Sequence, residues 1–434
     1  MEMLHYRCDR EIPVIADTDV LVVGGGPGGF SAGVMAARNG AKTIVAERYG
    51  CLGGMPVFGE VTPLMANTVK GAAIHGPVYL EWCRKMWEYR PPEDQKQHPF
   101  DEREVMHRIS KDEAMLAMED LLLEAGAKLL YHHTLFDVIV SDGRIVAAVF
   151  HSKSGLVAVK AKIFIDSTGD GDLAVLAGCP AQFGNEEGFC QPMTTCFKLG
   201  DVDRSRMPGH PEINRLYDEA KARGEIDCLR EDVLWFPSTQ DDVIHFNTTR
   251  IIKKSGVVGT DLSEAEIEGR RQIRQFVKFL RKNVPGFEQA RIHSIAHHVG
   301  VRESRRIVGR VFQTADDFLK AAKYPDGIAK VRYEIDIHNP SGTGTRIVHM
   351  PEGEWYEIRY GTLVPENCDN LLMGCRAISL DHALHSSARV VPPICSIGQA
   401  AGMAAAMCVE QEATPPELHG EEVRKRLAAA GAAL

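Results

Sequence analysis

Gly24, Gly26 and Gly29 stand in the order G-x-G-x-x-G, directly after the apolar run Val20 to Val23 and at the mouth of a helical segment. That spacing suits phosphate binding. The first glycine permits a sharp turn, the second lets backbone approach a pyrophosphate, and the third lets the helix pack on the strand. Pro27 and Gly28 complete the loop, where the free N–H groups of a helix start favour an anion. Glu47 ends the next apolar run about 20 residues on, placed to accept both hydroxyls of a ribose. Together these residues point to a dinucleotide site.

Other residues have side chains suited to acting on a substrate. In Ser379-Leu380-Asp381-His382-Ala383-Leu384-His385, either imidazole could take a substrate hydroxyl proton, the alternative being a packed or surface histidine. Arg302 and Arg389 carry the planar fork that matches a carboxylate or paired hydroxyls. Arg305 and Arg306, beside Glu303, suit ion pairs within the protein. His297 and His298, just before them, form a second candidate group. The 11 cysteines run from Cys8 to Cys408 without a CxxC, which disfavours disulfides, zinc ribbons and iron–sulfur clusters, and no metal centre is expected. Cys51 has no cysteine close by, which argues against a redox-active disulfide.

The elements that must position these groups begin with one βαβ unit: Val20 to Val23, a small-residue helix from Phe30 to Arg38 stopped by Asn39-Gly40, and Lys42 to Ala46. Ser110-Lys111-Asp112-Glu113 is a capping box opening an amphipathic helix that stops at Gly126. Leu135 to Val140, Arg144 to Phe150 and Leu156 to Val159 read as a three-stranded meander, and a further strand, Ile163 to Asp166, follows. Beyond about Val202 the texture changes. A second capping box at Ser263-Glu264-Ala265-Glu266 opens a helix ending at Pro285-Gly286. Leu371 to Gly374 repeats the strand-then-glycine pattern, and a Gly- and Ala-rich helix runs from about Pro393 to Val409. Trp82, Trp87 and the stretch Arg90 to Phe100 suit a surface excursion or a mobile cover.

The 434 residues are enough for a large core. Lys and Arg total 50 against 59 Asp and Glu, a net charge of -9 that opposes a broad nucleic-acid footprint. No continuous apolar run long enough for a membrane span and no secretory leader is evident, so cytoplasmic residence is expected. The expected partner is a small-molecule substrate, with no nucleic acid and no membrane span; a homo-oligomer is left open.

The choice between FAD and NAD comes from resemblance. Arg48 to Gly54, with Leu52-Gly53-Gly54, resembles the flavin-proximal loop of FAD-dependent oxidoreductases in the broad glutathione-reductase-like group. Ile165 to Asp172 is similar to that group's second motif, with Ser167 in the place of an alanine. Arg389 to Gly402 resembles its C-terminal flavin helix. More closely, nearly the whole chain resembles the bacterial FAD-dependent oxidoreductase family, through Gln191-Pro192-Met193-Thr194, Asn247-Thr248-Thr249-Arg250, Pro285-Gly286-Phe287-Glu288 and Gly300 to Ile307. It departs from that pattern at Ile358-Arg359-Tyr360-Gly361, which lacks a proline, and at Gly374-Cys375-Arg376.

The resemblance implies an α/β fold: a discontinuous Rossmann-like FAD-binding domain with a β-meander, residues 1–200 and 366–434, interrupted by an α+β substrate-covering domain, 201–365. Besides Gly24 to Gly29 and Glu47, it implies FAD contacts at Arg48, Gly53, Gly54, Met55, Thr168, Gly169, Asp170, Arg376, Gly398, Gln399, Ala401 and Gly402. The N-terminus of the last helix, near Pro393 to Gly398, would stabilise negative charge on the reduced flavin. The implied reaction moves a hydride between flavin N5 and a small polar substrate such as a sugar or hydroxy acid alcohol. Reduction of an activated alkene, a non-catalytic flavoprotein and a tRNA-modifying flavoprotein are the alternatives. The electron acceptor is open among a quinone, a protein, dioxygen and nicotinamide.

Overall fold

A computed structural model describes residues 11–101 and 108–434; Cys8 lies outside the described residues. Strand β1 (Val14–Val23), helix α1 (Pro27–Arg38) and strand β2 (Thr43–Ala46) form the expected βαβ start of a parallel sheet. Helix α2 (Lys111–Glu124) begins on Ser110, whose hydroxyl accepts from the Glu113 N–H, and leads into β3 (Lys128–Leu130), parallel to β2. Strands β4 (Thr134–Ser141), β5 (Arg144–Ser152) and β6 (Gly155–Asp166) follow as the meander.

One difference from the sequence reading sits in β6. The two strands expected at Leu156 to Val159 and Ile163 to Asp166 are one continuous strand of 12 residues. Its first half pairs antiparallel with β5, and from Ala158 to Asp166 it runs parallel to β1. Ala161 and Lys162 stay extended because β1 covers that edge throughout.

The middle of the chain folds around a second sheet, in the order β8-β9-β7-β10, built from β7 (Phe197–Gly200), β8 (Trp235–Pro237), β9 (Ile244–Phe246) and β10 (Arg291–Ile295). Helices α3 (His210–Ala222) and α4 (Gly259–Asn283) cover one face. Phe197, Leu199, Tyr217, Phe246, Phe276 and Phe287 make a core of their own there. Helix α4 starts four residues before the expected cap: the Ser263 hydroxyl donates back to the Gly259 carbonyl at 2.9 Å instead of capping.

The chain then returns to the first sheet through β11 (Leu371–Met373), parallel to β6, and ends in α5 (His382–Ala388) and α6 (Val391–Gln411). Helix α6 is long and apolar enough to cross a membrane, with mean hydropathy 1.3, but 94% of that stretch is buried inside the protein, where it packs on α1. The division of the core does not follow the boundary expected at residue 366. Ile307, Phe318, Val331, Tyr356 and Leu363 belong to the larger core of the FAD-type sheet, because their strands and loops pack against it and against α6.

The register explains where the chemistry must lie. Val23 pairs with Ala46 and with Asp166, and Met373 pairs with Asp166, so four parallel strands end at one level. The glycine loop, Glu47, the Ser167 to Asp172 loop and the Gly374 to Arg376 loop therefore leave the same edge, the carboxyl crevice where ligands of open α/β sheets bind.

The second sheet docks through a buried polar row. Lys198 pairs with His245 and Ser294 across β9-β7-β10, on the face away from the phenylalanine core. These side chains meet Glu60, which is 1% exposed. The carboxylate takes Lys111 at 2.9 Å, Ser294 Oγ at 2.7 Å and Lys198 at 3.6 Å, and His245 Nδ1 lies 3.5 Å from Thr62 Oγ1. Such a buried pair specifies how the two sheets sit more than it stabilises them.

Burial lowers the His245 pKa to about 3, helped by the Lys198 charge, and also lowers His338 to about 3 and His75 to about 4. Each binds its proton more readily when unfolded, so the stability each contributes is full above its unfolded pKa and is lost as pH falls toward the folded one. Asp166, raised by burial to about 6, acts in the opposite sense, as one group against three. Thermal unfolding should therefore drop by at least about 5 °C between pH 7.5 and 5.0. His245→Gln should reduce that slope; an unchanged slope would assign the acid sensitivity elsewhere.

Candidate active site

A cavity of about 450 Å³ opens at the carboxyl edge of the first sheet. Gly24, Gly26, Pro27 and Gly28 form its floor at the start of α1. Gly26 is the helix N-cap without a side-chain cap, and the first turn holds no acidic residue, so the leading N–H groups are left for a ligand. A Cβ on Gly26 would point into open space, its nearest protein atom the Gly54 Cα at 3.6 Å. Gly29 does not line the cavity. A Cβ there would stand 1.8 Å from the Gly24 carbonyl oxygen, so this glycine serves the contact of helix and loop.

Glu47 leaves β2 into the cavity wall with Arg48. Its two oxygens accept from the N–H groups of Gly25 at 2.7 Å and Tyr49 at 3.0 Å, which aims the carboxylate while leaving lone pairs for a ribose. Gly54 and Met55 also line the cavity, while Gly53 packs against Val57.

The second motif is shaped by a residue that sequence reasoning left as the end of a strand. Asp166 is fully buried and accepts from Thr168 N at 3.0 Å, Thr168 Oγ1 at 2.8 Å and Ala174 N at 2.9 Å. It curls the loop so that Thr168, Gly169 and Asp170 reach the cavity. Asp170 Oδ1 then takes Ser304 Oγ at 2.6 Å and Arg376 Nη2 at 2.7 Å, tying the middle and C-terminal segments to this loop. Arg376 is thereby fixed in the wall.

The C-terminal helix is placed differently from the expectation. Val391 and Ile394, in the first turn of α6, line the cavity. Gly398, Gln399, Ala401 and Gly402 do not; they are buried where α6 packs on α1, with Gln399 Oε1 accepting from Val78 N at 3.3 Å. A Cβ on Gly398 would lie 2.0 Å from the Gly28 carbonyl oxygen, so small residues here bring the helices together and only the helix end meets the ligand space.

Of the four residues expected to act on substrate, only Arg389 lines the cavity. Arg302 stands beside it: Arg389 Nη2 donates to Gln191 Oε1 at 3.5 Å, and Arg302 Nη1 donates to the carbonyl of the next residue, Pro192, at 2.8 Å. His382 lies behind, with Nδ1 2.8 Å from Oε1 of the fully buried Glu303. His385 is buried with neither ring nitrogen hydrogen-bonded, and burial together with the nearby Arg306 and Arg389 drives its pKa well below the usual range. It stays neutral inside the fold and does not face the cavity, because the turn of α5 points it into the core. Arg305 pairs with Asp172 at 2.6 Å and Arg306 with Glu303 at 2.5 Å, the intraprotein pairs the sequence suggested.

The motifs did not point to the cover. Gly259, Leu262 and Glu266 from the first turns of α4 line the cavity, as does His298. The His298 ring stacks at 5.7 Å on Tyr49 and 5.9 Å on Phe58, and its Nδ1 lies 3.0 Å from the Val299 carbonyl, which can only accept. Burial lowers its pKa, so Nε2 is left as an acceptor. The sequence marks it, with His297, as part of a second candidate group.

These residues fit FAD: an open cradle at Gly26, an uncapped helix start and an aimed ribose carboxylate accept the adenosine pyrophosphate, and the α6 end with Arg376 and Arg389 closes the far side.

Comparisons with known proteins agree. The family model described as FAD dependent oxidoreductase matches residues 19–427. The digeranylgeranylglycerophospholipid reductase of Thermoplasma volcanium is 31% identical over 165 residues, 35% of this chain and 39% of that protein. A thiamine thiazole synthase of Methanococcus maripaludis is 28% identical over 169 residues, 37% of this chain and 59% of that protein. The chain thus spans about two fifths of the length of the first of these relatives. A geranylgeranyl bacteriochlorophyll reductase-like protein of Thermoplasma acidophilum aligns in structure over 95% of this chain and 83% of its own, with TM-score 0.47 and 16% identity. The curated relatives that match more than a third of the chain are thus geranylgeranyl-reductase-like and thiazole-synthase proteins rather than members of the glutathione-reductase-like group that the motifs resemble.

The glycine geometry separates folding from binding. Gly26→Ala should change the stability of the flavin-free protein by no more than about 1 kcal/mol, since the methyl meets only the Gly54 Cα, at an ordinary contact distance of 3.6 Å, yet lower the flavin content of the purified protein at least about tenfold. Gly29→Ala should fail to fold or unfold far earlier. Absorbance at 450 nm per protein and thermal unfolding check both.

Proposed function

The chain belongs to the FAD dependent oxidoreductase family, and we propose that it exchanges a hydride between flavin N5 and a small polar substrate lying at the Arg389 end of the cavity. FAD, when bound, supplies the position that gives up or accepts the hydride. Arg389 carries the reading. The residue lines the cavity, its Nη2 is 3.8 Å from Asp336, and its Nε is buried without a hydrogen-bond partner. A cation so placed stabilises charge that builds on a substrate oxygen as hydride reaches an adjacent carbon.

That arrangement favours reduction of an activated alkene: the hydride goes to the β-carbon, negative charge moves to the carbonyl oxygen beside Arg389, and a proton completes the α-carbon. The reductase names of relatives support the same direction. Oxidation of a sugar or hydroxy acid alcohol is the second reading, favoured by His298, which lines the cavity. The Val299 carbonyl holds its Nδ1, which leaves Nε2 as a base of the kind such oxidation needs.

Anaerobic mixing separates them. Reduced flavin should regain its 450 nm band on adding an α,β-unsaturated carbonyl compound, and oxidised flavin should not bleach with hydroxy acids or sugars. Arg389→Gln should lower the rate of recolouring by about 10- to 100-fold. His298→Asn should change it less than threefold, as an order of magnitude. Bleaching by an alcohol, abolished in His298→Asn, would install the second reading; flavin untouched by either class would reject both.

A further inference from the structure

We propose that the substrate carries a carboxylate, and that Arg302, Arg389 and Gln191 form its anion-binding site; this rests on the hydride reading above. Arg302 is half-buried, and its hydrogen bonds go to neutral oxygens: Pro192 O at 2.8 Å, Thr194 Oγ1, and Asn247 Oδ1 at 3.4 Å. Among the described residues no carboxylate lies within ion-pair distance of it. The neighbouring cations have their own anions: Arg230 pairs with Asp232 at 2.6 Å and Arg250 with Glu231 at 2.7 Å.

Among the described residues Asp336 is the carboxylate that feels the charge of both Arg302 and Arg389, and it is already engaged by Arg389 at 3.8 Å and by His338 Nε2 at 3.5 Å. Two guanidinium charges thus share one carboxylate. His338 adds none, since burial holds it neutral. A cation left uncompensated away from water is costly unless an anion arrives. Burial and the nearby Arg389 and Arg230 pull the Arg302 pKa down to about 9, the mark of a cation lacking its partner.

Gln191 supplies an independent sign of a missing acceptor. Its Oε1 receives the His338 N–H at 3.4 Å and Arg389 Nη2 at 3.5 Å, two donors that fix which end of the amide is oxygen. Its Nε2 is therefore the donor end, and it is buried without a partner in a side chain 1% exposed. Arg389 Nε is likewise unpartnered. Buried donors are rarely left unmade. A planar carboxylate, with two oxygens and a single charge, matches this excess of one positive charge and the donors around it. A phosphate dianion would leave the site over-compensated.

The test is a titration of the oxidised, FAD-loaded protein with crotonate, crotonamide and inorganic phosphate, read by the shift of the bound-flavin spectrum, which needs no turnover. Crotonate should bind at least about tenfold tighter than its neutral amide, and tighter than phosphate. Arg302→Gln should remove that preference, and Arg302→Lys should keep part of it. Equal binding of crotonate and crotonamide by the unmodified protein, tighter binding of phosphate, no binding of either probe, or an unchanged preference in Arg302→Gln overturns the inference. The comparison of crotonate and crotonamide in the unmodified protein decides even where a variant fails to fold. Protein that takes up no FAD, or whose FAD no substrate class oxidises or reduces, overturns the hydride reading and this inference with it. FAD-loaded protein that exchanges hydride but ignores the charge of the probe overturns this inference alone.

Discussion

Helices α1 and α6 meet backbone to backbone, and the site exists because they do. A Cβ on Gly28 would stand 1.9 Å from the Gly374 carbonyl oxygen, one on Gly398 2.0 Å from the Gly28 carbonyl oxygen, and one on Gly402 2.2 Å from the Ala32 carbonyl oxygen. No side chain fits between these surfaces. The contact draws the end of the chain onto its beginning, and it sets the first turn of α6 in the wall of a cavity whose floor is the first turn of α1. Dense packing of an almost wholly apolar helix supplies the drive, since each methylene removed from water contributes about 0.8 kcal/mol.

Charge is distributed around that contact in a consistent way. Two helix starts, neither with a side-chain cap nor an acidic first turn, face the cavity with their positive ends. The acids near them are occupied by the protein itself: Glu47 by two backbone N–H groups, Asp166 by the loop it curls, Asp170 by Ser304 and Arg376. Asp166 and Asp170 thereby hold loops in place, while Glu47 is aimed at the cavity. At the Arg302 and Arg389 end two guanidinium groups face the single carboxylate of Asp336, the imbalance on which the proposed anion site rests.

Much of this was legible in the residues. The glycine loop, the acid at Glu47 and the meander each follow from local spacing, the return of the chain to its first sheet follows from the family resemblance, and each lies where expected. The misplaced features share a physical origin. The start of α4 at Gly259 instead of Ser263 depends on which of two weak local bonds tertiary packing leaves available. The unbroken β6 depends on a neighbour, β1, that local pattern does not show. The packing of residues 305–364 on the first sheet reflects long-range burial, which composition does not encode.

The same distinction runs through the site. Sequence by itself determined the class of cofactor cradle, because a G-x-G-x-x-G turn and a carboxylate at a strand end are local backbone devices whose geometry follows from a few adjacent residues. It also marked Arg389 and Arg302 by their chemistry. Only the tertiary structure decided which residues act and which support. It turned Gly398 and Gly402 into packing residues, withdrew His385 into the core, set His382 behind Glu303, and brought Gln191 beside the arginines. Those roles are set by distance and desolvation between segments far apart in the chain, and neither quantity exists until the chain has folded.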